Sequence, residues 1–147
     1  MRKSEMTNEQ LAIRQQIIKC LTEAGWTEGE AISGFHNGEF VLEEAVMEYH
    51  RSMDITVSYM ASKDTIILIM ECGLGGSGVT LEIKYPIELS KLLDFIISFQ
   101  DKVTEHNFRD YIVTIVDFCS DVYVDLGDQG LVRLDNKARR KDSFVTQ

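Results

Sequence analysis

The sequence predicts an α+β fold: an N-terminal helix, a four-stranded antiparallel meander, two C-terminal helices packed on one sheet face, and a small terminal hairpin. Two observations carry this. Apolar residues recur with helical spacing at both ends of the chain, and the middle alternates apolar and polar residues with the period of a strand.

The first helix spans about 7–24. Thr7 followed by Gln10 has the form of a capping box, Leu11, Ile17, Ile18 and Leu21 share one face, and Gly25 suits a left-handed cap. Trp26, just past that glycine, is placed to fold back on the helix. Residues 27–39, with three glycines and no sustained period, read as a loop.

Four strands follow. The segment 41–50, VLEEAVMEYH, fits a strand or two helical turns. In the next, Met53, Ile55, Val57 and Tyr59 alternate with Asp54, Thr56 and Ser58, which describes one wet face. TIILIME is apolar on both faces and belongs in the middle of a sheet. Val79, Leu81, Ile83 and Tyr85 then alternate with Thr80, Glu82 and Lys84. Pro86 stops that strand and suits the first turn of a helix that runs to about Gln100. Phe108, Tyr111, Ile112, Ile115, Val116 and Cys119 keep a helical period despite their β-branched neighbours, so 108–119 is predicted helical. VYVDL and LVRL form a hairpin near 122–134, and the domain is drawn as 1–136 with a basic, mobile tail at 137–147.

At 147 residues the chain is the length of one ordinary domain. Cys20, Cys72 and Cys119 are scattered without a CxxC pair, which suits a reducing compartment. The charged start has no apolar run of a secretory signal, and no segment approaches the ~18 apolar residues of a membrane span. The expectation is a cytoplasmic protein with no membrane contact, as monomer or homodimer.

The net charge is −9, but residues 4–136 alone hold 9 basic and 23 acidic residues, a charge of −14. No basic residue lies between Lys19 and Arg51, where Glu23, Glu28, Glu30, Glu39, Glu43, Glu44 and Glu48 fall. A field of that sign repels phosphate backbones and attracts basic surfaces, so nucleic acid is excluded as a direct partner and a basic protein is favoured.

Motifs for chemistry are weak. Gly73-Leu74-Gly75-Gly76-Ser77-Gly78 matches GxGxxG, but a strand follows where a dinucleotide site needs a helix, and no HRD or DFG element accompanies it. It reads as a flexible hairpin loop. His36, His50 and His106 have no carboxylate or cysteine at metal-ligand spacing, there is no GxSxG elbow, and Asp117, Asp121, Asp125 and Asp128 lack the order of a calcium loop. No metal and no cofactor is expected.

The function predicted is a non-catalytic protein-binding module of the inhibitor, immunity-protein or nucleic-acid-mimic type. Its contact surface is assigned to Glu28, Glu30, Glu39, Glu43, Glu44 and Glu48, with Gly75 and Gly76 as a second element. One alternative is a small acidic secretion-type chaperone with apolar grooves. Another is a small enzyme or ligand-binding domain using His36 or His50 with a carboxylate brought close by the fold, which requires a deep pocket around that pair.

Overall fold

The computed structural model describes residues 6–31, 33–36, 39–42, 44–51, 53–72, 78–119, 121–126 and 129–134, with backbone alone for 33–36 and 39–41. The predicted tail, Glu43, Gly75 and Gly76 lie outside these residues.

Helix α1 (Asn8–Glu23) begins and ends as its sequence requires. The Thr7 hydroxyl accepts from the Gln10 amide at 3.1 Å, and the Gln10 side chain accepts from the Thr7 amide at 3.1 Å. At the other end Gly25 takes φ +97°, Gly25 N donates to Thr22 O, and Trp26 N donates back to Leu21 O at 2.9 Å. Trp26 is thereby folded under the helix and buried beside Leu21.

A seven-stranded antiparallel sheet follows where four meander strands were predicted: β1 (Thr27–Glu28), β4 (Glu44–His50), β5 (Asp54–Met60), β6 (Thr65–Glu71), β7 (Gly78–Lys84), β8 (Asp121–Asp125) and β9 (Leu131–Leu134), paired in that order. Between β1 and β4 a separate hairpin forms from β2 (Ser33–His36) and β3 (Glu39–Leu42). The segment 27–39 is therefore not simply a loop. Its strands are too short for alternation to show, and the signal that marks them is the Asn37-Gly38 dipeptide between the paired His36 and Glu39. The terminal hairpin β8–β9 is present, but it extends the main sheet through β7.

The predicted helices stand as α2 (Leu89–Phe99) and α3 (Phe108–Phe118). Helical spacing thus overrides the β-branched composition of α3, whose Phe108, Ile112, Ile115 and Val116 are buried. Pro86 is not the first helical residue; it precedes α2, whose N-cap position is held by Glu88 without a side-chain cap bond.

One sheet face carries Ile55, Val57 and Tyr59 of β5, Ile66, Leu68 and Met70 of β6, and their neighbours, and these join residues of all three helices in a single core. Burying each such aliphatic side chain contributes about 1.5–3 kcal/mol. The opposite face is not the wet surface expected of β5: Ser58, Met60, Thr65, Ile67 and Glu82 are buried there, with Met60, Ile67 and Ile69 in a second small cluster. The 3₁₀ turn Ala61–Lys63 touches β3 beside that cluster.

The segment 41–50 is extended in its described residues, with 41–42 in β3 and 44–50 in β4, which is bulged. Glu44 pairs with Tyr59 and Met47 with Val57, so one extra residue sits on β4, and Ala45 takes φ +53° to accommodate it. The bulge reverses which way Glu44 points. Its carboxylate faces the helices, where Arg14 Nε lies 3.5 Å away without the alignment of a hydrogen bond.

Candidate functional site

The end of β4 gathers a cluster of side-chain hydrogen bonds and ion pairs. Tyr49 projects to the helix side, where its ring stacks on Trp26 with centroids 5.4 Å apart. The Trp26 indole N–H donates to Gln100 Oε1 at 2.6 Å, and Gln100 Nε2 donates to Ala24 O at 3.0 Å, so the end of α2 is tied to the end of α1. The Tyr49 hydroxyl donates to Asp101, and Arg51 sits with its guanidinium 5.2 Å from the Tyr49 ring centroid and Nε 3.7 Å from Asp101.

On the other face His50 is bracketed by carboxylates. Its Nδ1 lies 2.9 Å from Asp54, its cross-strand partner on β5, and its Nε2 lies 3.4 Å from Glu48. A carboxylate can only accept, so this setting favours the protonated ring, which can donate to both. The hydrogen bond to Asp54 is the main cause of a pKa raised above 6.5, opposed in part by desolvation.

Gly25, Thr27, Glu48, Tyr49, His50 and Arg51 line a cleft of about 180 Å³ between β1 and the end of β4. Pockets that enclose small-molecule ligands run to roughly 300–1,000 Å³. The His–carboxylate pair sought for an enzyme is therefore present at His50, in a small open cleft and with a side chain 58% exposed. Among the described residues no group of three or more His, Cys, Asp or Glu is placed to hold a metal ion, and no helix is long and apolar enough to cross a membrane.

The expected docking residues are brought together only in part. Glu28 is exposed on β1 opposite Met47, while Glu48 is half-buried on β4 opposite Thr27, so the two share the sheet edge but point to opposite faces. Glu30 is exposed just beyond β1. Glu39 opens β3, paired with His36 in the separate hairpin. Glu44 is turned inward and is 7% exposed, which removes it from the outer surface.

Two carboxylates outside that set complete the acidic end. Asp54 pairs with His50 and with Glu71 across neighbouring strands, and Glu71 pairs with Gly78 where β7 begins. Glu48, Asp54 and Glu71 therefore occupy the end of the sheet that carries the Gly73–Gly78 connection. Sequence distance hides this grouping, because Asp54 and Glu71 come together only through register. Compared with known proteins, the chain matches no family model, no curated protein and no solved structure.

Proposed function

We propose that the protein is a non-catalytic binding module that docks a basic protein through the acidic end of its sheet, around Glu48, Asp54 and Glu71. The observation that carries this is the state of His50: two carboxylates already compete for one imidazole, so the end of the sheet has negative charge in excess of its own cations. Opposite charge across an interface speeds association and selects partners without a catalytic constellation. Among the described residues the exposed large apolar side chain is Val132, which favours polar docking over a chaperone's apolar groove.

The test is affinity capture from the native cell at low and high salt with the parent protein and with Glu48→Lys and Glu71→Lys combined, both checked for folding by circular dichroism. Proteins captured by the parent at low salt and lost with the double variant support the reading. Equal capture by both overturns it.

A further inference from the structure

We propose that the Tyr49 ring and Asp101, beside the cleft at the end of β4, form a socket for an arginine side chain of the basic partner, and that Arg51 occupies this socket until the partner displaces it. This rests on the docking reading above and names the group that is recognised.

The floor of the socket is the Tyr49 ring, which is 6% exposed and held by Trp26 behind it and by its hydroxyl bond to Asp101. A rigid, electron-rich ring with a carboxylate at its rim suits a planar guanidinium better than a compact ammonium, because the guanidinium can stack while it donates. Glu48 lines the cleft and Asp101 stands beside the ring. The chain itself demonstrates the fit, since Arg51 lies over the same ring and beside the same Asp101.

Arg51 is poorly anchored there. Its side chain and that of Asp101 are both 64% exposed, at 3.7 Å, and such surface pairs contribute little. A second guanidinium making the same contacts can replace it. Gly25 adjoins the ring: a Cβ there would stand in van der Waals contact with Tyr49 Cε1, at 3.9 Å.

The experiment measures binding of a fluorescent Gly-Arg-Gly-Arg-Gly peptide, and of its lysine counterpart, to the full chain by anisotropy at low salt, with amide shifts of Gly25, Thr27 and Tyr49 followed by NMR. Removing the internal competitor with Arg51→Gln should tighten arginine-peptide binding about fivefold. Lys102→Gln removes the same charge from the exposed neighbour of Asp101 and should change it less than about twofold. Asp101→Asn should weaken it about fivefold, and the lysine peptide should bind Arg51→Gln at least about threefold more weakly than the arginine peptide. Equal gains from Arg51→Gln and Lys102→Gln, equal binding of the two peptides, or no binding of either would overturn the socket. If Glu48→Lys with Glu71→Lys still abolishes partner capture while Arg51→Gln changes nothing, docking stands and the socket falls.

Discussion

The Trp26 indole N–H and the Gln100 amide oxygen meet at 2.6 Å in a buried seam that joins the ends of two helices far apart in sequence. Gln100 also donates to Ala24 O, so one side chain satisfies two groups. Gln100→Leu keeps the volume and leaves both unpaired. Unfolding in urea, followed by circular dichroism, should show a loss of about 1–3 kcal/mol.

The inward turn of Glu44 makes it a partner of Arg14 rather than of another protein. Glu44→Gln should cost about 1–3 kcal/mol, because it leaves a half-buried guanidinium uncompensated. Arg14→Met combined with Glu44→Gln should recover most of that loss, giving a coupling energy of about 1 kcal/mol or more in a double-mutant cycle.

At the bulge, Ala45 pays for its φ of +53° with a close Cβ contact to its own backbone. Ala45→Gly relieves that strain and loses one buried methyl, so stability should stay within about 0.5 kcal/mol of the parent or rise. Ala45→Val, whose branched side chain is excluded from this conformation, should lose about 1–3 kcal/mol. Thermal unfolding of the pair reads the difference.

His50 gives stability a pH dependence of known sign. Its folded pKa is raised, chiefly by the bond to Asp54, so the stabilisation is complete below its ordinary value of 6.5 and disappears as pH rises through the folded value. The ring is largely exposed and screened, which limits the effect to about 0.2–1 kcal/mol. Urea midpoints across neutral pH should decline for the parent and be flatter for His50→Gln.

Burial pushes the Cys119 thiol up to about 11, with Lys91 opposing the shift, so its thiolate is scarce at pH 8. Cys20 and Cys72 are half-buried. A chromogenic disulfide reagent should label those two in the native protein, and Cys119 only as the protein unfolds, located by mass spectrometry.

Local signals were legible and register was not. The capping box at Thr7, the reversal at Gly25 with Trp26 behind it, and the period of α3 each lie within a few residues of chain, and each appears as read. The two-residue β1 is too short to show a period, and the Asn37-Gly38 signal was lost among neighbouring glycines. Glu44 was misplaced because strand parity assumes no bulge, and one extra residue at Ala45 sends a side chain to the opposite face. Ser58 has polar chemistry and a buried position, so alternation alone made it wet. The cleft escaped notice for a different reason. Gly25, Tyr49 and Asp101 belong to three segments, and only the packing of α1 against β4 and against α2 brings them together.

The order of the sheet also shapes how the chain folds. From β4 to β7 every strand pairs with its immediate successor, so those ladders close short loops and carry little entropic cost. The next ladder joins Lys84 to Asp121 across residues 85–120, which contain both C-terminal helices. Loop-closure entropy therefore predicts that this pairing forms after those of the meander. Native-state hydrogen exchange should accordingly find the slowest amides in β5 and β6 and release β8 and β9 at lower free energy, as a separate cooperative unit.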